Sequence, residues 1–119
     1  MAAVQPTRGD IWRVDLSPTR GSETRKIRPA VVISATVFDH LPVRIVVPLT
    51  SWQAKFANQL NKVLVPHTSQ NGLANDSAAD FLQVRCVALE RFLHKLGTLE
   101  ASVLDEIVAG VTIAVDYQP

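Results

Sequence analysis

At 119 residues the chain suits one domain with a single core and is too short for two independent ones. Hydrophobic residues make up 47% and mean hydropathy is +0.14, which excludes a disordered chain; with aromatics at 6%, Val, Leu, Ile and Ala must fill the core. Net charge is only +1, too small to mark a nucleic-acid binder, yet residues 1–28 carry six basic against three acidic side chains, so the front quarter is electropositive.

The expected organisation is one domain over 1–119, with 1–7 a loose tail. Short apolar runs between Gly, Pro and Asn read as strands. Residues 11–16 alternate apolar and polar like a half-buried strand, and 17–22, with Pro18 and Gly21, read as turn and loop. Residues 29–34 and 43–49 are continuous β-branched runs that suit the centre of a sheet. Residues 62–65 form another short strand closed by Pro66, and Asn71-Gly72 marks a turn. Residues 77–89 are the fifth strand candidate. Residues 90–95 suit one or two helical turns stopped by Gly97. From 101 to 116, Leu104, Ile107, Val108, Val111 and Val115 recur on one helical face, with Gly110 costing roughly 1 kcal/mol against Ala. Five antiparallel strands and a C-terminal helix give an α+β domain or small barrel.

Cys86 is the lone cysteine, which excludes an internal disulfide and a thiolate zinc cluster; it reads as a buried strand residue. The first residues lack a signal peptide's basic region and apolar run, and no apolar stretch approaches spanning length, so a cytoplasmic protein without membrane attachment is expected. His40, His67 and His94 have neither the spacing of a metal site nor a nearby Cys partner, and read as surface or loop residues.

The string Gly9-Asp10-Ile11-Trp12 through Ser17-Pro18-Thr19-Arg20-Gly21-Ser22-Glu23, followed by Arg28-Pro29-Ala30-Val31-Val32-Ile33-Ser34, resembles the opening of the MazF/PemK toxin family. Val47-Pro48-Leu49-Thr50-Ser51, Asn71-Gly72-Leu73 with Asp76-Ser77, Gln83-Val84-Arg85 and Leu96-Gly97 follow in the family's order, so the resemblance spans residues 9 to about 115. It implies an SH3-like antiparallel β-barrel related to that of the CcdB toxins, a homodimer, and sequence-selective cleavage of single-stranded RNA. It also implies a partner antitoxin whose acidic tail occupies the RNA groove. No cofactor and no metal are expected.

Metal-free RNA cleavage needs a 2′-hydroxyl positioned against the adjacent phosphate, two protons handled, and charge stabilised on the phosphorane. Arg28, which the resemblance places in catalysis, offers a fixed fork of donors to phosphate oxygens. A guanidinium with a pKa above about 12 is a poor proton acceptor, so it reads as a charge clamp first and a proton donor to the leaving oxygen second. Thr50, at a strand end, offers a hydroxyl to a phosphate oxygen, and Ser51 is a weaker candidate for the same work. Glu23 is a candidate to orient Arg28 or to accept the 2′-hydroxyl proton; the alternative is a carboxylate that only solvates its loop.

Gln83 and Arg85 flank Val84 and are expected on one face of a strand, one reading a base edge and the other holding phosphate. Trp52 is the better base-stacking candidate, with Phe56 beside it, whereas Trp12 reads as core or dimer interface. Arg25 and Lys26 are candidates for backbone phosphate contacts, ahead of Arg20. Two rival readings remain: a non-enzymatic poison of a topoisomerase, as CcdB-type relatives are, and a degenerate relative that binds RNA or antitoxin without cutting.

Overall fold

The computed structural model describes residues 4–18, 20–23 and 26–119. Its strands are β1 (Asp10–Asp15), β2 (Ile27–Val32), β3 (Val43–Ser51), β4 (Lys62–Val65), β5 (Ser77–Asp80), β6 (Arg85–Ala88) and β7 (Phe92–Thr98), followed by helix α1 (Ala101–Ala114). All described pairings are antiparallel, in the order β4-β5-β3-β2-β1-β7 with β6 also on β3. The expected antiparallel sheet with a C-terminal helix is therefore present, and the strands form an open path rather than a closed barrel.

The run 77–89 is not one strand. Both of its halves pair with β3, Ser77–Asp80 near its end and Arg85–Ala88 near its start, with a 3-10 turn over Phe81–Gln83 between them. Asp80 causes the interruption: its Oδ1 accepts from Leu82 N at 3.2 Å and from Asn61 Nδ2 at 3.0 Å, a local bond that competes with the ladder. The turn swings Phe81 into the core, against α1. A Cβ on Gly110 would stand 2.5 Å from the Phe81 ring, so Gly110 trades helix propensity for that close approach.

Residues 90–95 are not helical. Only Leu89–Arg91 makes a 3-10 turn, and from Phe92 the chain pairs with β1, where Val14 receives Phe92 and Arg13 receives His94. Tertiary pairing overrides local propensity here. The C-terminal helix holds to its expected face, with Ile107 fully buried and Leu104 and Val111 packed on the same core; it ends at Ala114, leaving Val115 67% exposed.

The sheet buries apolar residues on both faces. Ile11, Val31, Val47 and Leu49 face α1, while Trp12, Val14, Ala30, Val32 and Val46 form a second cluster with Phe92 against it. Trp12 is thus core, edge-on to Phe92 at 5.9 Å between ring centroids. β3 reverses expectation in its first half: Val43 and Ile45 are exposed, whereas Arg44 is buried. Its guanidinium donates to the carbonyls of Pro6 (2.7 Å), Leu41 and Val43 (2.8 Å each) and Asp39 (3.1 Å), and lies 3.5 Å from the Asp39 carboxylate. Cys86, opposite Ile45 in the ladder, is exposed rather than buried.

Candidate active site

The ladder between β2 and β3 stops short of the strand ends, and that opens the site. β3 pairs with β2 through Val32↔Val46, Val31↔Val47 and Ala30↔Pro48, while its other edge passes from β6 to β5 at Leu49. Pro29, which cannot donate to the rung facing β3, stands where the β2–β3 pairing stops. Extending the same register by two residues brings Arg28 level with Thr50. Between the diverging strands lies an open cavity of about 410 Å³, bordered by Ile27, Arg28 and Pro29 on β2 and by Leu49, Thr50 and Ser51 on β3. Three successive residues border it on each strand, so the cavity sits at the strand ends, with Leu49 of the core forming part of its wall.

A loop closes one side. Asn71, fully buried, accepts at Oδ1 from Thr68 N (3.0 Å) and Leu73 N (3.1 Å), and its Nδ2 donates to Pro66 O (2.8 Å). Gly72 follows at φ +69, and a Cβ there would collide with the Leu96 carbonyl; a Cβ on Gly97 would collide with Gln70 O. These two glycines let the loop lie directly on β7, which places Gly72 to Asn75 along the cavity. At the loop's outer end His67 Nδ1 meets Asp76 Oδ1 at 2.6 Å, and His67 N donates to the same oxygen at 3.1 Å. Those bonds hold the Asp76 carboxyl below its ordinary value, the side-chain bond from His67 contributing most.

Of the residues predicted from sequence, Arg28, Thr50 and Ser51 come together at the cavity. Glu23 does not border it: its Oε1 accepts from Arg20 N at 2.8 Å within the exposed loop. Lys26 is exposed with φ +68, and its carbonyl accepts from Leu16 N. Arg25 lies outside the described residues. Gln83 and Arg85 do not share a strand face, because Gln83 ends the 3-10 turn and only Arg85 belongs to β6. Both reach the 16–26 segment, Gln83 Nε2 donating to Ser22 O (3.3 Å) and Arg85 to Leu16 O (3.2 Å). Trp52 follows Ser51 and meets Phe56 edge-on at 5.8 Å, and Lys62 Nζ sits 5.0 Å from the Phe56 ring centre.

Two charged or titratable residues border the cavity that the sequence did not single out for it, Arg13 on β1 and His94 on β7. Arg13 had a local signal, since it stands on the polar side of an alternating strand. His94 had none. Its place depends on β7 returning to pair with β1, a contact across about eighty residues. Arg13 and Arg28 make the cavity cationic, and Thr50, Ser51, Ser77 and Asn75 line it with hydroxyls and an amide, a combination suited to a phosphodiester backbone.

The pattern of the PemK-like, MazF-like toxins of type II toxin–antitoxin systems matches residues 7–115. The chain is 37% identical over 115 residues to the endoribonuclease MazF9 of Mycobacterium tuberculosis, covering 92% of this chain and 95% of that protein. Its fold superposes on a crystal structure of MazF from Deinococcus radiodurans with a TM-score of 0.82 at 20% identity, covering 97% of this chain and all of that one. It also superposes on an endoribonuclease from a mycobacterial species, solved with its cognate antitoxin, at a TM-score of 0.74 and 16% identity, over 96% and 98% of the two chains. With nearly the whole sequence matched and the divergent-strand cavity in place, the chain belongs to the PemK-like, MazF-like toxin family of type II toxin–antitoxin systems.

Proposed function

We propose that the chain is an endoribonuclease toxin that cuts single-stranded RNA sequence-selectively and without a metal, by attack of the 2′-hydroxyl on its own phosphodiester. The products are a 2′,3′-cyclic phosphate, or the 3′-phosphate it opens to, and a 5′-hydroxyl. The observation that carries this reading is Arg28 standing level with Thr50 across the gap where β2 and β3 part, in a cavity large enough for a phosphodiester and its flanking sugars. Arg28 clamps the non-bridging oxygens as charge builds on the phosphorane, and Thr50, backed by Ser51, fixes a phosphate oxygen in line. Arg13 adds a second fixed cation on the far wall.

Trp52 with Phe56 offers an aromatic edge for an unstacked base beside the cavity, and Arg25, Lys26 and Arg85 supply cationic contacts to the backbone along the adjoining loop. Gln83 reads a base edge in this reading, and Glu23 orients the loop that leads into β2 and Arg28. The partner is a cognate antitoxin with an acidic tail, the charge that a groove holding Arg13 and Arg28 attracts. The functional unit is a homodimer in the cytoplasm, one domain over the full chain. Phe38, Leu41, Val43, Ile45 and Cys86 leave an apolar face on the β3–β6 side of the kind a second copy covers.

The test is incubation of the purified protein with a single-stranded RNA in EDTA, with the product ends identified. Cleavage to cyclic or 3′-phosphate beside 5′-hydroxyl is expected. Arg28→Ala should lose about 10²–10³ in rate. Loss of all cutting in EDTA removes the metal-free mechanism, and undiminished cutting by both Arg28→Ala and Thr50→Ala removes the site. A monomer by light scattering at micromolar concentration removes the dimer.

A further inference from the structure

The cleavage chemistry needs a group that takes the proton of the attacking 2′-hydroxyl. Among the described residues bordering the cavity, Arg13 and Arg28 stay protonated at any working pH, and the remaining polar groups are hydroxyls and an amide, none of them a base near neutrality. Among the described residues no carboxylate borders it; Glu23 accepts from the Arg20 amide. His94 does border it, and imidazole is the side chain that both accepts and releases a proton near neutral pH.

Its aim is set by β7. His94 is the register partner of Arg13, and side chains directly opposite in an antiparallel pair share a face with Cβ atoms about 5 Å apart. Register shifts fall on either side of this pair, between Ile11 and Trp12 and between Arg13 and Val14, each adding one β7 residue. Such bulges re-aim a side chain at sheet margins. They leave His94 and Leu96 both on the cavity while Phe92 returns to the opposite core. The charged groups around the cavity are Arg13 on β1 and Arg28 on β2; on His94's own strand the neighbouring Lys95 is turned to Asp10, 3.4 Å away.

We propose that His94 is the proton acceptor of RNA cleavage, an assignment that rests on the endoribonuclease reading above. The neutral imidazole takes the 2′-hydroxyl proton as the O2′–P bond forms. The P–O5′ bond breaks with its electron pair leaving on the 5′ oxygen, which takes a proton from solvent, and the imidazolium returns its proton to solvent. Arg28 holds the phosphorane charge throughout, so acceptor and clamp are separate residues on separate strands.

The experiment is single-turnover cleavage of a single-stranded RNA between about pH 5 and 9, by wild type, His94→Ala and Arg28→Ala. His94 is exposed, so its removal leaves both cores intact, which a thermal melt confirms. Wild type should show a rate that rises with pH along an acid limb. His94→Ala should lose that limb, slow by about 10²-fold or more, and recover part of its rate in added imidazole. A His94→Ala protein that cuts at the wild-type rate, or that is slowed yet keeps the limb and ignores imidazole, overturns the assignment while Arg28→Ala still reports the site. RNA left uncut by wild type overturns the endoribonuclease reading and the assignment with it.

Discussion

Gly21 and Gly72 both adopt left-handed backbone, at φ +60 and +69, but their surroundings differ. A Cβ on Gly21 meets nothing within 4 Å, whereas one on Gly72 collides with the Leu96 carbonyl. Alanine at either site incurs about 1–2 kcal/mol for the left-handed conformation. Against that, alanine restricts the unfolded chain, returning about 0.4–1 kcal/mol. Gly21→Ala should therefore cost roughly 1 kcal/mol or less. Gly72→Ala adds about 1–3 kcal/mol for displacing backbone in a packed contact. It also weakens the neighbouring bonds Gly72 N to Thr68 O (3.1 Å) and Thr98 N to Gln70 O (3.0 Å). At about 4 °C per kcal/mol for a domain of this size, Gly72→Ala should melt roughly 8–15 °C below wild type and Gly21→Ala within about 4 °C of it. Calorimetry with RNA cleavage on the same samples checks both consequences, because only Gly72→Ala shifts the loop that walls the cavity. Equal melting temperatures for the two variants would refute the close-approach argument.

Arg44→Met removes a buried guanidinium and strands four carbonyls and the Asp39 carboxylate, which should cost about 3–5 kcal/mol in urea unfolding without altering the cavity. Gly110→Ala should destabilise by about 1–3 kcal/mol although alanine is the better helix former, and pairing it with Phe81→Leu should recover part of the loss. Because Asp76 has its folded-state value lowered by His67, its contribution is present above the unfolded carboxyl value of about 3.9 and is lost as pH falls through the lower folded value. Wild type and Asp76→Asn should thus differ in melting temperature at about pH 5 and converge in stronger acid.

What the sequence made legible was what local periodicity and a near-continuous family pattern encode. β1, β2, β4 and α1 follow their apolar spacing, and Arg28 and Thr50 fall inside matched motifs. The failures arise where a hydrogen-bonding or pairing partner, not apolar spacing, decides the outcome. Residues 92–95 read as helix until β1 claims them, and Asp80 breaks a strand because its carboxylate accepts from Leu82 N and is fastened by Asn61 and by Lys62 of β4, at 3.0 and 3.2 Å. Arg44 defeats hydropathy outright. Its carbonyl partners belong to residues 6, 39, 41 and 43, so nothing in Val43-Arg44-Ile45 announces that the charge goes inward and the two aliphatic side chains outward. Cys86 follows from the same inversion, since it pairs with Ile45 on the exposed side.

That inversion and the cavity are two results of one strand doing two jobs. β3 holds β2 on one edge from Val46 to Pro48, and on its other edge it passes from β6 over Val43–Val46 to β5 over Leu49–Ser51. The β2–β3 ladder ends at Ala30↔Pro48, before Pro29, and the residues just past it are held by other strands, Arg28 by Val14 of β1 and Thr50 by Ala78 of β5. A donor-bearing residue in place of Pro29, whose position faces β3, would permit the ladder to run on and draw the two strand ends together. Stability and site geometry then pull in opposite directions: Pro29→Val should hold or raise the melting temperature while narrowing the cavity and lowering cleavage, a pairing of effects that a purely structural proline would not produce. Loss of stability together with unchanged cleavage would show that the strands part for some other reason.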